Sequence, residues 1–161
     1  MTSNGYDSSV ASEIIASFDA KPELLIQILH QFLERFTYIS KDAIRQLASE
    51  LNLSRAEVHG VVSFYHDFRT EPPGKHIVKI CEAEACQAMG SRQLSEHAQS
   101  TLGVDMHQTK DDVTLEPVYC LGNCACSPAV MIDGHTYGRV DAKRFDELIG
   151  RLGSGKLGGK K

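Results

Sequence analysis

The chain has 161 residues, 42% of them hydrophobic, no tryptophan and a formal charge of −4. That is enough apolar material for one ordinary domain with a helical appendage, and it excludes wholesale disorder. Acidic side chains outnumber basic ones 9 to 6 over residues 1–70 and 12 to 7 over 71–150, and only 151–161 is basic, so the footprint is wrong for gripping a polyphosphate backbone. No apolar run approaches a membrane span, and the polar start lacks the charged and apolar regions of a secretory signal. The expectation is a cytoplasmic protein with no direct membrane insertion.

Residues 1–9 offer little to bury and are expected to be mobile. A first helix is expected from Val10 to Phe18, with Ile14, Ile15 and Phe18 on its apolar side. Pro22 sits where a first-turn proline is tolerated, and Leu25, Ile28, Leu29, Phe32 and Phe36 then recur at helical spacing. His30 lies at the edge of that stripe and reads as a surface histidine. Ser40 is a candidate N-cap for a helix through Ile44, Leu47, Ala48 and Leu51, which Asn52 ends. Ser54-Arg-Ala-Glu57 reads as a capping box for a helix with Val58, Val61, Val62 and Tyr65 on its inner side. Residues 1–70 are thus an N-terminal helical bundle.

Two prolines and a glycine in Thr70-Glu-Pro-Pro-Gly74 cannot continue a helix, and the pattern changes after them. Lys75 to Ile80 alternates as a strand into Cys81, and Val113 to Tyr119 is a second strand leading into Cys120. Between them one helix is expected to follow Cys86 and run through Leu94 and Ala98 to Leu102, ending at Gly103. Ala129–Ile132 and His135–Val140 flank Asp133-Gly134, a strong hairpin signal, and Asp141 caps a last helix through Phe145, Leu148 and Leu152. A helix-flanked sheet with one parallel step and a terminal hairpin is the pattern of a thioredoxin-like α/β domain over 75–152, and the glycine- and lysine-rich 153–161 reads as a flexible tail.

All five cysteines lie in this second part, four of them in two clips, C-x4-C (Cys81, Cys86) and C-x3-C (Cys120, Cys124), 33 residues apart. Each clip follows a strand, at the carboxyl end where open α/β sheets place ligands. In a reducing compartment, clustered cysteines are metal ligands or catalytic thiols more often than disulfides. Four soft thiolates suit an iron-sulfur cluster or zinc, and spacing leaves both open, with a redox thiol pair as a third reading. Ser127 reads as a turn former, and Gly122 lets the second clip turn tightly. The seven histidines show no ligand spacing, and no nucleophile–base arrangement is evident.

The C-x4-C and C-L-G-x-C clips in this order, preceded by helices and by Gly60-Val-Val-Ser-Phe-Tyr-His-Asp-Phe68, resemble the small thioredoxin-like 2Fe-2S subunit of NADH-dehydrogenase modules. That family includes the 24 kDa subunit of respiratory complex I, its counterpart in NAD-reducing hydrogenases and the gamma subunit of NAD-dependent formate dehydrogenases. Val78–Gly90 and Cys120–Gly134 look most like the formate dehydrogenase gamma branch. The resemblance covers about residues 22–150. It implies a 2Fe-2S cluster on Cys81, Cys86, Cys120 and Cys124, with Cys126 outside the matched positions as a buried or near-cluster thiol. It also implies a partner that binds FMN and NAD, and through it a larger cluster-bearing catalytic subunit. This chain would then be an electron-transfer subunit with no catalytic site of its own. Glu82 and Glu84, inside the first clip, are expected to lower the cluster potential by their charge.

A reading from another class comes from Ile44 to Phe64, which also fits a helix-turn-helix, as in a DNA-binding protein with a redox-sensing cluster. Against it, the second helix offers only Arg55 and His59 beside Glu57, so no nucleic-acid partner is expected.

Overall fold

The structure is a computed structural model that describes residues 5–152. It divides into two compact units between Pro72 and Pro73.

The first unit is helical. Helix α1 (Ser8–Ser17) is capped by Asp7, whose carboxylate accepts from the N–H groups of Ser9 (2.9 Å) and Val10 (3.3 Å). This corrects the expectation of a mobile start as far as the described residues go. The Asp7 cap begins the helix two residues before Val10, and the Tyr6 hydroxyl donates to Gln46. After a short 3-10 turn at Pro22–Leu24, helix α2 (Leu25–Phe36) buries Leu25, Ile28, Leu29, Phe32 and Phe36 and ends at Thr37, which takes a left-handed φ of 70°. Helix α3 (Lys41–Glu50) starts where the Ser40 hydroxyl accepts from the Ala43 N–H at 3.1 Å. Helix α4 (Arg55–Phe64) opens on the reciprocal Ser54/Glu57 capping box. The four helices close on one core that includes Ile15, Ile28, Leu29, Phe32, Leu47 and Val58, each worth roughly 1.5–3 kcal/mol by its removal from water. Tyr65 departs from its expected inward position. It is the C-cap of α4, with extended backbone that turns its ring outward to stack edge-on against Phe64 and Phe68.

The second unit carries a five-stranded sheet in the order β2-β3-β1-β4-β5, formed by β1 (His76–Cys81), β2 (Gln108–Lys110), β3 (Val113–Val118), β4 (Val130–Ile132) and β5 (His135–Tyr137). β1 and β3 run parallel in a register that sets Cys81 beside Val118, and the other three pairings are antiparallel. The crossover between β1 and β3 contains α5 (Glu84–Ala88) and α6 (Ser91–Leu102), and α7 (Ala142–Leu152) closes the unit. The single helix expected after the first clip is in fact two. Gly90, at φ 94°, separates them, because the chain must turn there through a conformation that side chains disfavour. Val78, Ile80, Leu115, Val130 and Ile132 of the sheet pack with Leu94, Ala98, Phe145 and Leu148 of the helices. Asp133 (φ 48°) and Gly134 (φ 83°) make the tight turn between β4 and β5, and Asp141 accepts from the Arg144 N–H at 2.8 Å to cap α7. Gly74 admits the chain to the sheet, since a Cβ there would lie 2.6 Å from the Asp112 carbonyl. Among the described residues no helix is long and apolar enough to cross a membrane.

Candidate metal centre

The β1–β3 pairing is what assembles the site. Parallel neighbours deliver their carboxyl ends to the same edge of the sheet, so the loops after Cys81 and after Val118 lie side by side. The Glu82 N–H donates to the Val118 carbonyl at 2.8 Å, and the Cys81 N–H donates to the Ala129 carbonyl at 3.0 Å. Cys81 is thereby held between the two arms of the second clip. A small apolar cluster of Cys81, Cys86 and Ala129, with Ala83, Val118 and Leu121 against it, floors the site and is separate from the main core.

The first clip is formed by the end of β1 and the first turn of α5. Cys81 and Cys86 are both buried, while Cys120 and Cys124 are exposed on the second loop. Burial pushes the Cys81 thiol up, with Cys86 beside it adding to the effect, against the amides of Ala83 and Leu121, which favour the thiolate. Burial works against ionisation at Cys86 too. There the Ser127 hydroxyl, the Ala129 amide and Cys81 outweigh it and bring the thiol below its ordinary value. Gly122, at φ 68°, turns the second loop so that its own N–H points at Cys120 Sγ, 3.3 Å away. Amide donors on thiolate sulfur spread its charge and stabilise the reduced state of a cluster bound there.

Ser127 does more than form a turn. Its hydroxyl donates to the Cys124 carbonyl at 2.8 Å and lies 3.5 Å from Cys86 Sγ, linking the second clip to the first across 41 positions of sequence. Nothing local in the sequence marks that role, because Cys86 and Ser127 meet only when the strands pair. The Ser127–Pro128 peptide is cis. Cys126 ends the 3-10 turn Cys124–Cys126, half-buried against Gly138, where an added Cβ would fall 2.6 Å from its own. Of the two clip acids, Glu82 accepts from the Ser95 hydroxyl on α6 at 2.8 Å, and Glu84 is exposed in the first turn of α5. His30 is exposed, with its ring edge on Phe68.

Among the described residues no three His, Cys, Asp or Glu side chains converge on one point as a mononuclear metal site demands. A two-iron cluster makes no such demand, because each iron takes two thiolates and the pairs stand apart. Two cysteine pairs on adjacent loops, one buried and one exposed, fit that donor set.

Comparison with known proteins agrees. The family model described as thioredoxin-like 2Fe-2S ferredoxin matches residues 11–153. The chain belongs to that family. Its fold is the family's thioredoxin-like α/β fold, and its cofactor is a 2Fe-2S cluster. A subunit of the NADH-quinone oxidoreductase of Pseudomonas aeruginosa is 36% identical over 114 residues, 70% of this chain and 69% of the relative. The NADP-reducing hydrogenase subunit HndA of Solidesulfovibrio fructosivorans is 29% identical over 139 residues, 85% of this chain and 81% of the relative. Among solved structures, an air-oxidised NAD+-reducing NiFe-hydrogenase superposes with a TM-score of 0.67 at 26% identity, covering 83% of this chain. The chain corresponds to 23% of that hydrogenase polypeptide's length.

Proposed function

We propose that this ferredoxin-family chain is the electron-carrying subunit of a cytoplasmic, NAD-linked oxidoreductase and holds its cluster on Cys81, Cys86, Cys120 and Cys124. The observation that carries the reading is the junction of the two clips at the ends of parallel β1 and β3, with the Ser127 hydroxyl joining the Cys124 carbonyl of one clip to Cys86 Sγ of the other. When bound, the cluster supplies one-electron storage. The chain's own residues set the conditions for it. Cys81 and Cys86 are shielded by Ala129 and Leu121, while the loop of Cys120 and Cys124 faces outward, so the protein offers one short, exposed side for electron passage. Met89 (63% exposed), just after the first clip, and Tyr119 (57%), just before the second, are large apolar groups facing solvent, as expected of a rim that a second protein covers. Met89 also bounds a recess of about 350 Å³, together with Ala125, Ser127, Pro128 and Arg139.

The partner in this reading is a flavin-bearing, NAD-binding protein, through which electrons reach a larger cluster-bearing catalytic subunit. The relatives' names support a respiratory NADH dehydrogenase or an NAD(P)-linked hydrogenase. The formate dehydrogenase gamma branch, which the clip sequences resemble, is the second reading and rests on those motifs alone. The test is to isolate the native complex through a tag on this chain and supply NADH with quinone, hydrogen with NAD+, and formate with NAD+ in turn. One donor–acceptor pair is expected to turn over, and NADH is expected to bleach this chain's visible bands. Bands that stay oxidised during turnover would remove the chain from the electron path.

A further inference from the structure

The helical unit is acidic overall, yet three of its cations are gathered in one place. Residues 1–70 contain six basic side chains. Three of them, Lys41, Arg45 and Arg55, line a single open groove of about 820 Å³ together with His59. Ile44 and Ala56 give the groove an apolar floor, and among the described residues no acidic side chain lines it. It continues past Lys41 and His59 into a recess of about 390 Å³, where Glu71 is the one acid on the wall.

The other cations of this unit are occupied. Lys21 pairs with Asp19 at 2.9 Å, Arg35 lies 5.6 Å over the Phe36 ring, and Arg69 reaches the Thr37 carbonyl. In the groove, Arg45 meets Asp42 at 2.6 Å, but that pair is solvent-exposed and weakly held. The side chains of Lys41 and Arg55 form no ion pair or hydrogen bond among the described residues. The acid nearest Arg55 in sequence, Glu57, accepts the Ser54 N–H at 2.8 Å to complete the capping box. Two free cations therefore flank an apolar floor in a surface that otherwise repels anions.

We propose that this groove between α3 and α4 is a docking site for an acidic polypeptide segment of a partner protein, its carboxylates meeting Lys41, Arg45 and Arg55 and an apolar side chain resting on Ile44. Arg and Lys beside an apolar strip match alternating acidic and apolar side chains. A nucleic-acid duplex would need a longer basic track than three cations on an acidic unit supply, and it would leave the apolar floor unused. The site lies wholly within residues 38–71, and its occupancy does not depend on the cluster.

The experiment measures fluorescence anisotropy of the cluster-loaded full chain with a short fluorescein-labelled peptide of alternating glutamate and leucine, and separately with a labelled DNA duplex. The peptide is expected to bind, with an affinity that falls as salt rises. The exposed-surface double variant Lys41→Glu/Arg55→Glu is expected to weaken it at least about tenfold, or roughly 1.4 kcal/mol. Lys41→Gln/Arg55→Gln should weaken it less. Lys143→Glu/Arg144→Glu, on the other unit, should leave it unchanged. Absence of peptide binding, equal loss in the Lys143/Arg144 variant, or tighter binding of the duplex than of the peptide overturns the proposal. The visible spectrum of the cluster, expected to be the same in all three variants, separates failure of this site from failure of the electron-carrier reading.

Discussion

In the helical unit each element carries its own start signal within a few residues of itself, whereas in the sheet unit the elements that hold the cysteines are fixed by partners far along the chain. Asp7, Ser40 and the Ser54/Glu57 box each cap their own helix, and one continuous core then collects the stripes. Cys81 is placed by Val118 and Ala129, and Cys86 is linked to Cys124 through Ser127. Local contacts form cheaply, while long-range strand pairing must first meet the entropy of closing the intervening chain. The chemistry thus sits in the part whose geometry depends most on the whole sheet being in place.

If the two units are specified separately, single substitutions should break one without the other. Cys86→Ala removes a buried sulfur from the site. It is expected to abolish most of the bound iron and the visible absorbance while leaving the far-UV helical signal near wild type. Phe32→Ala should do the reverse. It opens a cavity in a fully buried position and is expected to cost about 3–5 kcal/mol in urea unfolding followed by circular dichroism, with the cluster spectrum unchanged under native conditions. Loss of the helical signal in the first variant, or of the cluster in the second, would mean that the units are not independent.

A smaller effect sharpens the same contrast. Burial, reinforced by the charges of Glu50 and Asp42, pushes the Tyr6 phenol up to about 12 from its ordinary 10.0. The fold favours the neutral phenol, so its contribution to stability is whole below pH 10 and is lost as pH rises from about 10 towards 12. Unfolding of the helical unit should therefore become easier across that window, and Tyr6→Phe should flatten the dependence there. An unaltered slope in the variant would show that Tyr6 does not couple to folding.

The same division governs what can be read from the residues alone. Ser40, Ser54-Arg-Ala-Glu57, Asp133-Gly134 and Asp141 announce their structures because a cap or a two-residue turn is a local event. Asp7 is equally local but sits in a polar stretch with no apolar stripe before Val10 to draw attention to it. β2 has no signal of its own, because Gln108, Thr109 and Lys110 are all exposed and carry no alternation; the strand exists only as an edge paired to β3. Gly90 lies within what reads as a single helix, and only its left-handed φ shows the break between α5 and α6. The cysteine spacing and its resemblance point to a cluster. The part of Ser127 in joining the clips, and the clustering of Lys41, Arg45 and Arg55 on one groove, need the folded chain.

The central claim is that two cysteine pairs, brought together at the carboxyl ends of β1 and β3, hold a redox-active two-iron cluster. The most direct test is quantitative iron and acid-labile sulfide analysis of the anaerobically purified chain, with its EPR spectrum before and after reduction. The account predicts about two irons and two sulfides per chain, silent when oxidised and giving a one-electron signal when reduced. A colourless chain that binds zinc stoichiometrically, with no signal on reduction, would contradict it.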